Sequence, residues 1–302
     1  MELTELQNTL AFYFDGIAYK LNEPMSKHTS FRIGGNAEVM VFPKNADEMQ
    51  TVMNVCGLLD LKPAILGAGT NVLAPDGGIG GLVICLKDSM DGMELLSGNR
   101  IRVGAGVTMT RAAVFAASHG LSGLEFAHGI PGTVGGGVYM NAGAYGGEIC
   151  QVCESVTVMD RCGNLEFIPG EKMNFSYRHS ILEETDYIVL GAVFRLEPKP
   201  EAEIREKMKE LMAKRSASQP LDLPSAGSAF KRPVGGYAAA LIDQAGLKGY
   251  RVGDAAISTK HAGFAVNLGN ATAEDMKNLL RQVSDIVYEK TGIRLEPEVR
   301  IW

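Results

Sequence analysis

Cysteine is scarce in this chain: five residues in 302, an odd number with no paired pattern. That excludes a disulfide-built scaffold and points to a reducing compartment, the cytoplasm. Long apolar runs are missing as well. No stretch approaches the roughly 18 residues that a spanning helix needs, so no membrane partner is expected. The opening residues Met1-Glu2-Leu3-Thr4-Glu5 lack the basic start of a secretory signal. Positive charge is not in excess: 29 Lys and Arg face 35 Asp and Glu, a net charge of −6. Such a chain has no bulk attraction for nucleic acid or anionic lipid, so an anionic ligand has to be held by local groups.

What the chain has instead is glycine. Its 36 glycines are about 12% of the residues, against a typical 7%, and they cluster without collagen-like periodicity. Clustered glycine in an enzyme-sized chain means tight turns or backbone approaching a ligand closely. Hydrophobic residues at 46% and charged residues at 21% are an ordinary globular balance, and the length suits two or three domains.

Apolar spacing at Leu3, Leu6, Leu10 and Phe14 predicts a helix over residues 2–14. Residues 38–42 read as a strand closed by Pro43. Residues 47–59 read as a helix with Met49, Val52, Met53 and Cys56 on one face. Short buried strands follow at 63–67 and 81–86, so residues 30–90 resemble a small α/β unit. A half-buried strand is expected at 100–107 and a helix at 109–119. Strands at 154–160, 164–168 and 187–196 have connections short enough to be antiparallel. Pro198-Lys199-Pro200 reads as a domain boundary. Beyond it comes a charged amphipathic helix with Ile204, Met208, Leu211 and Met212 on one face. The clearest element is a helix over 273–290. Thr272 and Asp275 form a capping box, Met276, Leu279, Leu280, Val283, Ile286 and Val287 form the stripe, and Gly292 ends it. A final strand is expected over 294–302.

Five segments could carry chemistry. Gly67-Ala68-Gly69-Thr70-Asn71-Val72 follows a strand and begins like a dinucleotide fingerprint, but position 72 is Val, not a third glycine. It is either a plain turn or a backbone nest for a pyrophosphate. Residues 129–147 are denser, with eight glycines in nineteen residues. Each glycine costs about 0.5–1 kcal/mol of order in a regular element, so a clamp around a cofactor's phosphates and ring explains them better than packing. Pro224 to Pro233 presents Ser228 with Lys231 and Arg232 behind it. No G-x-S-x-G elbow or triad pattern surrounds that serine, and on chemistry alone a turn or cap is the simpler reading. Arg178, in Phe175-Ser176-Tyr177-Arg178, has the fork to meet a carboxylate; for it, and for the Glu296 and Glu298 pair, solvated surface charge is the simpler reading. Glu296 and Glu298 share one face of the expected last strand. Cys150-x-x-Cys153 has no second pair or nearby His, and no metal site is expected. The five histidines do not cluster.

Together these segments resemble the UDP-N-acetylenolpyruvoylglucosamine reductase family. The matching stretches are Thr29–Gly35, Leu66–Leu73, Gly123–Gly147, Phe175–Arg178, Ser225–Lys231 and Leu295–Arg300, in that order over nearly the whole chain. The resemblance implies an α+β protein: an FAD-binding module of the vanillyl-alcohol-oxidase (PCMH) type plus a C-terminal mixed α/β substrate-binding domain. The boundaries expected are a helical segment over 1–24, the FAD module over 25–197 (subdomains 25–96 and 97–197) and the substrate domain over 201–302. FAD would be held by Arg32, Gly34, Gly67, Gly69, Thr70, Asn71, Val72, Leu73, Gly129, Ile130, Pro131, Gly132, Thr133, Gly135, Gly136, Asn141, Gly143 and Ala144.

The resemblance further implies NADPH as reductant of a UDP-sugar substrate, UDP-N-acetylglucosamine enolpyruvate, in two half-reactions. Hydride reaches the enolpyruvyl C3 and a proton reaches C2. Ser228 corresponds to the proton donor, and Arg178 and Glu298 to its catalytic partners. Hydride addition puts negative charge on C2 and its carboxylate, where Arg178 is stabilising. A carbanion is basic enough for a serine hydroxyl to protonate. An ionised Glu298 would oppose that charge, so a protonated or substrate-orienting carboxyl is expected. Tyr177, Lys231, Arg232 and His261 are the substrate-binding candidates, with Lys260 beside them. Only residues 180–187 separate the Tyr-Arg motif from the next strand, so the chain resembles the shorter type, which lacks the tyrosine-bearing insertion. A monomer is expected. Two other functions remain open on sequence: a flavin oxidase of the same cofactor fold, and a non-catalytic nucleotide-binding regulator.

Overall fold

The computed structural model describes residues 12–302. Of the helix expected over 2–14, residues 1–11 lie outside the described ones. Along the chain run β1 (Ala18–Pro24), β2 (Asn36–Phe42), α1 (Ala46–Leu58), β3 (Ala64–Leu66), β4 (Val72–Leu73), β5 (Ile79–Cys85), β6 (Met93–Leu96) and β7 (Arg100–Gly104). Then come α2 (Met109–Ser118), β8 (Leu121–Ser122), α3 (Val134–Tyr139), β9 (Gly143–Ala144), β10 (Gly147–Glu148), β11 (Cys153–Met159), β12 (Leu165–Pro169), β13 (Ile188–Arg195) and β14 (Glu197–Pro198). The remainder is α4 (Glu201–Ser218), β15 (Ser225–Ser228), α5 (Ala238–Gln244), β16 (Arg251–Val252), β17 (Ala255–Ile257), β18 (Phe264–Asn267), α6 (Ala273–Thr291) and β19 (Arg300–Ile301).

These elements gather into two compact units that interleave in sequence. The first takes the chain up to Leu21, Val39–Ala68 and Gly81–Met212; the second takes Asn22–Glu38, Gly69–Gly80 and Ala213–Trp302. One further sheet has four strands, ordered β1-β2-β5-β3.

The first unit is built on a five-stranded sheet ordered β12-β11-β13-β7-β6, antiparallel throughout, including the three strands β11, β12 and β13 expected to be so. β13 is central and nearly all buried, and α3 packs on it. α1 starts at Asn45, whose side chain accepts from the Glu48 N–H at 2.9 Å, and Asp47 and Glu48 suit the positive helix start. Its buried face is Met49, Val52, Met53, Val55 and Cys56. Ile204, Met208 and Leu211 of α4 are buried as expected, while Met212 is only half-buried.

The second unit has a sheet ordered β15-β18-β17-β16, covered by α6. The capping box of α6 forms in both directions, and Gly292 ends the helix at φ +74°. A second device was not visible in sequence. The Asp76 carboxylate accepts from the first N–H groups of α6, Ala273 at 2.7 Å and Glu274 at 3.1 Å.

The final strand needs correction. Strand structure covers only Arg300–Ile301, parallel to β4. Pro297 instead forms an isolated antiparallel bridge with Phe230, flanked by Lys231 N–H donating to Glu296 O and Glu298 N–H to Ala229 O. Glu296 and Glu298 flank that bridge, outside any longer strand. Glu296 is exposed, whereas Glu298 is half-buried with Oε2 shielded from solvent.

Candidate flavin and substrate site

In the first unit, Gly67 lies against the glycine-rich segment. A Cβ added to it would sit 2.5 Å from Thr133 Oγ1. Segment 129–133 is pinned from several sides. Gly129 N–H donates to Thr110 Oγ1 at 3.2 Å, Ile130 N–H to Ala127 O at 3.1 Å, and Gly132 O accepts from Met109 N–H at 2.9 Å. Pro131 is exposed beside it. Thr133 is buried and caps α3 through the Gly136 N–H. The first N–H groups of α3 are already used, Val134 on Val107 O and Gly135 on Ala105 O.

The three glycines of α3 separate by cause. A Cβ at Gly135 would meet Ala105 Cβ at 2.9 Å and Ala105 O at 3.2 Å, so packing requires that glycine, whereas one at Gly137 would meet only the flexible end of Met109, Sδ at 2.8 Å, and Ala142 Cβ at 3.7 Å. Gly136 is exposed, and its nearest neighbour would be Thr133 Oγ1 at 3.7 Å. Among the described residues nothing demands a glycine there. Just before the segment, His128 Nδ1 is buried with no hydrogen-bond partner among the described residues. Sequence reading passed over this residue because it looked for clustered histidines.

Asn141 is buried and spends its amide on protein groups. It donates to Glu148 Oε2 (3.0 Å) and Ser176 O (3.1 Å) and accepts from Cys150 N–H (2.9 Å). Gly143 and Ala144 form β9, paired with β10. The contact with Ser176 ties the glycine-rich segment to the Tyr-Arg motif. Ser176 and His179 exchange backbone bonds at 3.1 and 3.2 Å, which places Tyr177 and Arg178 at the tip of a two-residue turn. Arg178 holds φ +57°, a strained value for a long side chain, with its guanidinium 5.1 Å from the Tyr177 ring centroid. Backbone strain at a residue singled out by its motif is characteristic of functional turns.

The other motifs meet in the second unit. Ser30 N–H donates to Gly69 O (3.0 Å), Arg300 N–H to Asn71 O (2.9 Å), and Asn71 Nδ2 to Glu298 O (3.1 Å). With the bonds between 229–231 and 296–298, these chain together Thr29–Gly35, Gly69–Leu73, Ser225–Lys231 and Leu295–Arg300. Arg32 is exposed at φ +57°. A Cβ at Gly34 would meet Ala74 Cβ at 2.6 Å. Thr70 and Val72 are half-buried, while Leu73 is a core residue, so only its backbone can face a ligand.

Ser228 is aimed by a β-bulge. The register between β15 and β18 slips between Ser225 and Ser228, with Gly227 at φ +76°. In a regular strand Ser228 would point to the same side as buried Ala226. The extra residue turns its hydroxyl outward instead, and Ser228 is exposed. Lys231 Nζ pairs with Glu296 Oε1 at 2.5 Å. Arg232 stacks 4.6 Å over the Tyr237 ring. The His261 ring accepts from Gly263 N–H at 3.1 Å, and burial pushes its pKa down, favouring the neutral ring. Lys260 donates to Ser216 O at 2.8 Å, so it caps the end of α4.

Cys150 is exposed and Cys153 buried, with burial pushing the Cys153 thiol up to about 12. Among the described residues no group of three or more His, Cys, Asp or Glu is placed to hold a metal ion, and no helix is long and apolar enough to cross a membrane.

Comparisons with known proteins agree with this arrangement. Residues 37–167 match the family described as an FAD binding domain, and residues 219–302 match the one described as UDP-N-acetylenolpyruvoylglucosamine reductase, C-terminal domain. The UDP-N-acetylenolpyruvoylglucosamine reductase of Caldanaerobacter subterraneus subsp. tengcongensis is 47% identical over 281 residues, 93% of this chain and 92% of that one. Its counterpart from Lactobacillus acidophilus is 44% identical over 301 residues, 100% of this chain and 98% of the other. Among solved structures, the Thermus caldophilus reductase is 36% identical with a TM-score of 0.81, covering 95% of this chain and 98% of its own. The chain belongs to the UDP-N-acetylenolpyruvoylglucosamine reductase family.

Proposed function

We propose that this chain is an FAD-dependent reductase that uses NADPH to reduce the enolpyruvyl group of UDP-N-acetylglucosamine enolpyruvate, yielding UDP-N-acetylmuramate for peptidoglycan precursors. One observation carries the reading. Six motifs scattered from Thr29 to Arg300 gather into two clusters, one in each compact unit, joined by hydrogen bonds and, at Gly67, by close approach to Thr133.

The residues present fit a flavin dinucleotide. Gly67 and segment 129–136 offer close backbone approach beside each other, Gly136 is a glycine the protein itself does not need, and the buried His128 Nδ1 awaits a polar partner. When bound, FAD supplies hydride transfer between the nicotinamide and the enolpyruvyl double bond. The chain's own groups do the rest. The Arg178 guanidinium offsets charge developing on the substrate carboxylate, a contribution of about 10²–10³ in rate. Ser228 Oγ holds the proton destined for C2, and Glu298 orients substrate or carries a proton of its own. Lys231, Arg232, Tyr177 and His261 bind the UDP-sugar. In this reading residues 25–197 carry the flavin and 201–302 the substrate, the protein works as a monomer in the cytoplasm, and nucleic acid is not a partner.

The test is anaerobic. Purified protein should be yellow, bleach with NADPH, and regain colour on addition of UDP-N-acetylglucosamine enolpyruvate. Colour restored by oxygen but not by that substrate sinks the reductase reading in favour of an oxidase. Colourless protein that binds no FAD sinks both.

A further inference from the structure

Within the second unit, Glu298 is held through its main chain, and one of the bonds comes from a side chain. Its N–H donates to Ala229 O at 3.0 Å, one residue past Ser228. Its carbonyl accepts from Asn71 Nδ2 at 3.1 Å. Asn71 also takes the Arg300 N–H on its own carbonyl at 2.9 Å. A single residue thus grips the last segment at 298 and again at 300.

The strand register shows why this grip is unusual. β19 runs parallel to β4, with Arg300 opposite Val72 and Ile301 opposite Leu73. Rungs of a parallel ladder are evenly spaced, and the next one by register would run from Asn71 N–H to Glu298 O. The Asn71 side chain makes that bond instead. Its main-chain N–H is therefore not spent on Glu298 and stays with the loop that Gly69 turns at φ +62°. Asn71 itself has no positive φ, so the backbone does not ask for asparagine there, and the amide is what the position uses.

We propose that Asn71 is a positioning residue for Glu298: its side-chain amide fixes the Glu298 carbonyl and, through it, the carboxyl that meets substrate. The inference rests on the reductase reading above and refines the place of Asn71 in it. The side chain serves the Glu298 segment, and only the backbone is left to face a flavin.

The experiment uses FAD-loaded holoenzyme in anaerobic stopped flow. Asn71→Ala should be reoxidised by UDP-N-acetylglucosamine enolpyruvate about 10- to 100-fold more slowly than wild type, the cost of a reacting group misplaced by about 1 Å. Its bleaching by NADPH and its FAD dissociation constant should stay within about threefold of wild type. Asn71→Asp, equal in size and without a donor when ionised, should behave alike and carries the test should Asn71→Ala fold poorly. Added to Glu298→Gln, itself slow, Asn71→Ala should cost less than about threefold more, because the two act as one group. Reoxidation at the wild-type rate in both Asn71 variants, or losses that multiply in the double variant, would overturn the proposal. So would FAD affinity lowered about tenfold with reoxidation of the saturated enzyme unchanged, which would give the side chain to the flavin. Glu298→Gln reoxidised as fast as wild type would overturn the role of Glu298 and the proposal with it. Wild type that this substrate does not reoxidise would overturn the reductase reading itself, so each failure is read from a different protein.

Discussion

Gly136→Ala separates a flavin site from a merely glycine-rich helix. Gly136 lies inside α3, and alanine there should gain about 0.5–1 kcal/mol of helix stability. The structure has room for the methyl, since its closest neighbour would be Thr133 Oγ1 at 3.7 Å, an ordinary contact. In the absence of ligand the variant should therefore unfold at the wild-type temperature or about 1–3 °C higher. If the flavin packs against this backbone, the same methyl intrudes on it. Overpacking costs about 1–3 kcal/mol, which weakens FAD by roughly 5- to 150-fold. The sign of the change in thermal midpoint should thus reverse as FAD is added, with wild type the more stable at saturation. Flavin fluorescence quenching gives the dissociation constant, and midpoints at graded FAD give the crossing. An FAD dissociation constant within about threefold of wild type, with midpoints that never cross, would refute the placement of flavin against α3. Gly135→Ala is no substitute, because its Cβ meets Ala105 at 2.9 Å and destabilises the fold directly.

Ser228→Ala should leave NADPH bleaching of the flavin intact and slow reoxidation by substrate about 10²–10⁴-fold; equal slowing of both half-reactions in stopped flow would make the serine structural. Asp76→Ala removes the carboxylate that accepts from Ala273 and Glu274 N–H, so denaturant unfolding should register a loss of about 1–2 kcal/mol, with Asp76→Asn recovering part of it. Burial lowers the His261 pKa below 6.5, so the unfolded chain binds the extra proton more readily. Stability should fall as pH drops from 6.5 through the lower folded value, and His261→Gln should flatten that part of a plot of thermal midpoint against pH. An unchanged slope would mean the ring protonates freely.

How much of this could be read from sequence depended on the range of the interactions involved. α6 was legible to its ends because its signals are local: Thr272 and Asp275 lie one turn apart, the apolar stripe follows the helical period, and Gly292 supplies the left-handed stop. β11 and β12 were legible because the short connection between them leaves only antiparallel pairing, whereas β13 returns to pair with β11 across eighteen intervening residues, 170–187. The final strand was misjudged because alternation over 294–302 reports an extended chain without naming its partner. The backbone of 296–298 pairs with 229–231, and only Arg300–Ile301 joins a strand, the two-residue β4. The Asp76 cap was invisible for the same reason, since its acceptors and donors lie 197 and 198 residues apart.

The site follows the same logic with one difference. Glycine content marked the segment over 129–147 but not which glycine serves a ligand. Gly135 is fixed by Ala105 and Gly137 meets the flexible end of Met109, neighbours that only the folded chain supplies, whereas Gly136 meets nothing closer than 3.7 Å. Ser228 shows the complementary case. The motif named the residue, yet its exposure comes from a register slip at Gly227, and a regular strand would have buried the hydroxyl with Ala226. Side-chain identity in a motif thus states what chemistry is available, and the backbone irregularity beside it decides whether that chemistry faces a ligand. The strained φ of Arg178 at the tip of its turn belongs to this class too. At Arg178 and at Ser228 alike, the chain departs from regular geometry.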